Sequence, residues 1–260
     1  MVALVAALIA GAGGCGSAFS SGGGDGGTAG TTATGSGASS GGGTAGTGQG
    51  GGAQAGGPPV DPPTCFPAGL QDDFETSFID YGLWDVWNEP GTEISVTNGR
   101  LRLHYVPLGV DVTTYGDVYT ADVYDLTDCA TWIEVPTVLP EATAGSASFL
   151  LTASEGNGAD ITVEEGDIHF SFTVNDVVVK EQSEPYSPTA HRWWRFRNAG
   201  PLIYLDTSPD GANWTEGLAH DPPWQVNAAG IGVTMNIWGT TDPAANMAEF
   251  DNVNVPPVSP

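Results

Sequence analysis

The chain has 260 residues, with six Lys and Arg against 31 Asp and Glu, for a net charge of −25 at pH 7. A surface that acidic repels nucleic-acid phosphates and anionic lipid headgroups, so nucleic acid is excluded as a partner and a membrane is admitted only through a lipid anchor. The composition also divides: residues 1–64 hold 22 of the 38 glycines and no Lys or Arg, whereas all eight tryptophans lie from residue 65 on. Only that second part has the apolar surface to build a core, and its length suits one substantial core.

Residues 1–15, MVALVAALIAGAGGC, are too short an apolar run to span a bilayer, which takes about 20 residues. They read as the apolar part of a secretion signal ending in small residues. The closing AGGC resembles the bacterial lipobox, in which the cysteine, here Cys15, is lipidated and becomes the new N-terminus; Ala12 stands where leucine is usual. The expected address is the bacterial cell envelope, at the outer membrane or cell surface. A plain secreted protein cut near Gly14 or Gly16 is the alternative. Residues 16–64 are rich in Gly, Ser, Thr and Pro. That composition cannot bury enough apolar surface to offset the entropy of ordering, and it predicts a disordered linker. Its first ~42 residues would reach on the order of 35–40 Å, enough to hold a domain off a surface.

Residues 65–260 read as one folded domain, and their dominant period is two. ISVTNGRLRLHY sets two alternating runs around Asn98-Gly99, the strongest short signal for a hairpin. IHFSFTVNDVVVK turns at Asn175-Asp176 and puts Ile168, Phe170, Phe172 and Val174 on one face. HRWWRFRNAGPLIYLDTSPDGANW gives two further hairpins, at Asn198-Ala199-Gly200 and at Ser208-Pro209-Asp210-Gly211. SASFLLTA, GIGVTMNIW and AEFDNVNV add strands, and no segment carries a sustained helical stripe. A dozen or more short strands with regular turn signals predict an all-β, two-sheet antiparallel β-sandwich. Cys65 precedes the first strand and Cys129 a turn; in an exported protein the two are a candidate disulfide.

DDFETSFIDYGLWDVW near the start, HRWWRFRNAGPLIYLDTSPDGANW in the middle and AEFDNVNV at the end resemble the concanavalin A-like lectin/glucanase superfamily, which includes laminin G-like modules. The resemblance spans about residues 66–256 and implies a jelly roll of two antiparallel sheets. It does not decide function, because the superfamily mixes lectins, glycosidases and inert spacers. Its glucanase branch carries paired catalytic carboxylates on one strand, as E-x-D-x-E or E-x-D-x-x-E. The nearest match, EGDIHF, offers Glu165 and Asp167 but His169 where the second catalytic acid belongs. Gly166 predicts a turn that takes Glu165 off the strand. The resemblance further implies a structural calcium where the first and last strands meet. Its ligands would be Asp251, the carbonyl of Gly99 and the segment around Asp72 and Asp73, hard oxygen donors of the kind Ca²⁺ takes. The other reading has Asp251 capping a turn or pairing with an arginine.

Arg192, Arg195 and Arg197 crowd into six residues beside Trp193 and Trp194. On a strand, Trp194 and Phe196 share one face, and Trp193, Arg195 and Arg197 share the other. An exposed Trp193 beside Arg195 and Arg197 would make a ligand platform that stacks a sugar ring and hydrogen-bonds its hydroxyls. In the competing reading the arginines neutralise neighbouring carboxylates and Trp193 packs under a loop. The function expected is binding of glycan or another surface polymer without catalysis. Polysaccharide hydrolysis at an atypical site and a passive envelope spacer are the alternatives.

Overall fold

The computed structural model describes residues 65–106, 113–238 and 246–257. The expected signal segment, Cys15 and the linker of residues 16–64 lie outside the described residues. Within them the protein is all-β. Its strands in chain order are β1 (Trp84–Asn88), β2 (Thr92–Val96), β3 (Leu101–Tyr105), β4 (Thr113–Thr120), β5 (Ala130–Thr137), β6 (Gly145–Ser154) and β7 (Asn157–Glu164). These continue as β8 (Asp167–Val174), β9 (Val177–Pro185), β10 (Trp193–Ala199), β11 (Leu202–Ser208), β12 (Thr215–His220), β13 (Gly230–Trp238) and β14 (Met247–Asp251). They form two seven-stranded sheets, ordered β1-β4-β13-β6-β7-β8-β9 and β12-β11-β10-β5-β14-β3-β2.

The turns form where the residues allow a left-handed backbone. Asn98 and Gly99 (φ 56° and 70°) close β2 onto β3, and Asn175 and Asp176 (φ 49° and 62°) close β8 onto β9. Both are tight hairpins whose twist matches that of the flanking strands. Gly200 (φ 60°) turns β10 into β11, and Gly211 (φ 72°) lies in the turn from β11 to β12.

The core lies between the sheets and follows from strict alternation. Phe149 on β6, Ile168, Phe170 and Phe172 on β8, and Trp194 and Phe196 on β10 all point inward and are buried. Phe149 and Phe196 stack across the sandwich with ring centroids 4.7 Å apart. Each large ring hides about 150–250 Å², a gross gain of roughly 4–6 kcal/mol at 25 cal/mol per Å². Gly217 on β12 carries no side chain because the Phe170 ring fills that space; a Cβ there would lie 2.5 Å from a ring carbon.

The two ends of the domain are tied to the second sheet. Cys65 and Cys129, 64 residues apart, form the expected disulfide. The Ala130 N–H donates to the Cys65 carbonyl at 3.1 Å, so the chain enters beside β5, the middle strand of its sheet. Asp72 bridges Val253 through two backbone hydrogen bonds of 3.1 and 2.8 Å, which joins the beginning of the domain to its end.

Candidate functional site

The arginine-rich strand resolves into a charge ladder. Trp194 and Phe196 do share the core face, and the Trp194 indole N–H donates to the His191 carbonyl at 2.8 Å. Trp193 turns the other way, but it is only 5% exposed and makes no open platform. Its covers are the turn at Gly211 and Pro257: a Cβ on Gly211 would lie 3.0 Å from both the indole and the proline ring. Arg195 is buried and donates to one carboxylate oxygen of Asp206 through Nε and Nη2 at 2.9 and 2.7 Å. Arg197 donates to the same oxygen at 3.1 Å. The two guanidinium groups lie over Trp214 and Tyr204, 4.1 and 3.7 Å from the ring centroids. The expected ligand platform of Trp193, Arg195 and Arg197 is therefore corrected: a folded-over turn, a carboxylate and two rings already occupy these side chains. What remains beside Trp193 is a depression of about 370 Å³ bordered by Arg192, Glu134, Asp210 and Pro256-Pro257.

The ladder continues across the outer side of the second sheet. Arg192 donates to Glu134 at 2.7 Å, and Arg100 and Arg102 hold Glu249 at 3.0 and 2.7 Å. All five arginines of the chain are used there. Their carboxylate partners make that side close to neutral.

The residues expected around calcium divide into two groups. Both oxygens of Asp72 are occupied, one by the Phe74 N–H at 2.8 Å and the other by the Trp84 indole N–H at 2.7 Å. Asp73 accepts the Glu75 N–H at 3.2 Å. Gly99 instead neighbours Glu75, whose Oε1 would lie 3.2 Å from a Cβ there. Asp251 is the crowded member: burial, with Glu134 and Glu75 adding repulsion, pushes its carboxyl up to about 6 even with Arg100 Nε 3.9 Å away. Among the described residues no three His, Cys, Asp or Glu side chains converge on one point. At this corner Asp251 and Glu75 repel each other, while Asp72 accepts from Phe74 and Trp84.

A second polar surface lies on the outer face of the first sheet, and sequence reading did not assemble it. Register brings Trp87, Asp117, Thr234, Ser148, Thr162, His169 and Ser183 into one row across all seven strands. The next row contains Asp85, Tyr119, Asp160, Ser171 and Glu181, and a third contains Tyr115, Asn236, Ser146, Glu164 and Asp167. None of these strands places a Lys or Arg on this face. Lys180 on β9 lies opposite Phe172 and reaches the Ala219 carbonyl on the other sheet at 2.5 Å. Trp87, on the edge strand, is 54% exposed, and its indole N–H donates to the Tyr115 hydroxyl at 3.2 Å. Gly232 makes room for Tyr119, whose ring a Cβ would overlap.

The carboxylates on this face differ in their freedom. Asp160 accepts from Ser171 Oγ at 2.5 Å and from Thr162 Oγ1 at 2.9 Å, and burial raises its pKa. Asp117 is 5% exposed, its Oδ1 has no partner, and burial pushes its carboxyl up to about 6 against a hydrogen bond from Thr234. The Tyr119 hydroxyl is likewise buried without a partner, and burial beside Asp117 raises its pKa. Glu164 is raised by burial, with His169 opposing.

Comparison of the sequence with family models and with curated proteins finds no match. Solved structures do match. A beta-glucanase from Bacillus licheniformis superposes with a TM-score of 0.52 at 13% identity, over 71% of this chain and 95% of its own. A beta-1,3-glucanase from Mycobacterium marinum gives 0.52 at 12% identity, over 72% and 98%. A non-specific endo-beta-1,3(4)-glucanase from family GH16 gives 0.51 at 10%, over 73% and 92%. The fold is the concanavalin A-like jelly roll. Identities this low carry the fold and leave the chemistry to this chain's own residues.

In this concanavalin A-like jelly roll the expected fragment Glu165, Asp167, His169 is split. Glu165 (φ 50°) and Gly166 (φ 89°) make the turn between β7 and β8, so Glu165 leaves the strand, whereas Asp167 and His169 stay on the outer face of β8. The strand that does present alternating groups is β7, with Asp160, Thr162 and Glu164 in line. The signal that could have found it is the alternation in DITVE, where threonine stands in the middle and an aspartate takes the first position.

Proposed function

We propose that this jelly roll is a carbohydrate-binding domain that holds its ligand on the outer face of the first sheet without cleaving it. The observation that carries the reading is the row of Trp87, Asp117, Thr234, Ser148, Thr162 and His169, an exposed indole continued across the sheet by hydrogen-bonding groups that are half-buried at Thr162 and His169 and buried at Asp117, Thr234 and Ser148. Sugars are bound by that combination, with the ring stacked on an aromatic face and the hydroxyls on polar side chains. Solved structures of the same fold include glucanases, which supports a polysaccharide as the ligand class. Retaining hydrolysis takes two carboxyl groups about 5–5.5 Å apart, one as acid and one as nucleophile. Here Asp160 is engaged by two hydroxyls and Glu165 is in a turn, which favours binding over hydrolysis.

Cys15 belongs to the same reading as a lipid anchor to the cell envelope, with residues 16–64 as the leash. Replacing Cys15 by Ser should move the protein out of the detergent phase, and unchanged partitioning removes the anchor. Calcium bound by Asp251, Glu75 and carbonyls near Gly99 is a further part of the proposal.

The test is a polysaccharide panel read by calorimetry together with a reducing-end assay. Binding that is lost in Trp87→Ala, with no release of reducing ends, is expected. Release of reducing ends by the wild type, lost in Glu164→Gln, would make the domain a hydrolase. No binding to any polysaccharide would leave the spacer.

A further inference from the structure

We propose that the outer face of the first sheet is built for a glycan that carries free amino groups, with the ammonium held between Asp117 and Tyr119. This rests on the carbohydrate reading above and names the ligand class. The face presents Asp85, Asp117, Asp160, Glu164, Asp167 and Glu181 with no Lys or Arg among them, and His169 is its one basic side chain among the described residues. The chain's arginines are held on the other sheet by Glu134, Asp206 and Glu249. A low-dielectric surface of one sign attracts the opposite charge and repels its own. Uronate and sulfated polymers are repelled there, neutral sugars are indifferent to it, and amino sugars are drawn in.

A charged face alone would not define a site. The second observation is a pair of acceptor atoms left without partners on that face. Asp117 Oδ1 and the Tyr119 hydroxyl are both buried and unpartnered, and they belong to residues two apart on one side of β4. Leaving such atoms unpaired costs about 1–3 kcal/mol each. An ammonium group has three donors and no acceptor, so it satisfies both oxygens and adds a charge-assisted bond to the carboxylate. Trp87 lies opposite Asp117 across β1 and β4, and its hydrogen bond to Tyr115 spans the neighbouring position. That exposed indole stands on the neighbouring strand and supplies an aromatic face for the sugar ring that carries the ammonium.

The experiment uses the full chain and three probes in near-neutral buffer, above the pH of about 6 at which Asp117 ionises: a β-linked glucosamine hexamer, its fully N-acetylated counterpart and hexalysine. The expected result is at least tenfold tighter binding of the glucosamine hexamer than of the acetylated one. That advantage should shrink as salt rises from about 50 to 500 mM, as screening of exposed charges requires. Asp117→Asn and, separately, Tyr119→Phe should bring the affinity for the glucosamine hexamer down to that for the acetylated hexamer measured in the same variant, with each variant's melting transition confirming its fold. Equal affinity for the two sugar hexamers overturns this inference and leaves the carbohydrate reading standing. Binding of neither sugar overturns both. Hexalysine binding as tightly as the glucosamine hexamer, or an advantage that survives in both variants, reduces the effect to bulk charge and overturns the subsite.

Discussion

Adjacent tryptophans on opposite faces of one strand give a direct measure of what each face contributes. Trp194→Ala removes a fully buried ring between the sheets and leaves the His191 carbonyl without its donor. About 200 Å² of ring area at 25 cal/mol per Å² is roughly 5 kcal/mol, at the top of the range measured for buried aromatics. Trp193→Ala removes a ring just as hidden, yet one whose cover is the Gly211 turn and Pro257 on the solvent side. That cover can settle, or the space can fill with water, so the loss should be about half, on the order of 2–3 kcal/mol. Urea unfolding of both variants, with equal m-values as the control for two-state behaviour, reads the difference. A loss near zero for Trp193→Ala would mean that the ring stands free and that the platform expected from the sequence is real. A loss at Trp193 equal to or larger than that at Trp194 would place the principal core on the wrong side of β10.

Breaking the Cys65–Cys129 bridge by a double change to Ala should cost about 4 kcal/mol for a loop of 64 residues in the chain-entropy model; an unfolding midpoint unchanged from wild type would refute it. Asp117 keeps a proton in the folded state up to about pH 6 that the unfolded chain releases near 4, so stability should fall as pH rises through that window and then level. Asp117→Asn, which cannot ionise, should therefore be more stable than wild type at neutral pH by about 3 kcal/mol and equal to it near pH 4; an advantage of the same size at both pH values would show that burial of charge is not its cause. Millimolar calcium should raise the melting temperature of the wild type and leave Asp251→Asn unmoved, and an identical shift in both would place any cation elsewhere.

Much of the fold was legible because its signals are local. Asn98-Gly99 and Asn175-Asp176 announce hairpins by the backbone conformation they tolerate, and the alternation of Ile168, Phe170 and Phe172 places β8 on the core without reference to any partner. The polar face was not legible, because Asp160 and Glu164 on β7 lie 43 and 47 residues after Asp117 on β4, and the two strands are separated in the sheet by β13 and β6. Only the pairing register makes them one surface, and register depends on every strand between them. Trp193 shows the opposite failure. Its face was correctly read from strand alternation, but its burial depends on Pro257, beyond the last strand, folding back against the Gly211 turn.

The bridge at the start of the domain also governs how a pull is received. Any tension drawn through residue 64 reaches Cys65 and passes through the sulfurs to Cys129, at the head of β5 in the middle of the second sheet. Residues 66–128, which include β1 to β4, sit within the covalent loop and cannot be peeled away one after another from that end. The strand that receives the force is clasped on both sides, by β10 and by β14, so the load is spread over two ladders of hydrogen bonds. A domain wired in this way takes the load on the two ladders that flank β5 and not on the segment from β1 to β4.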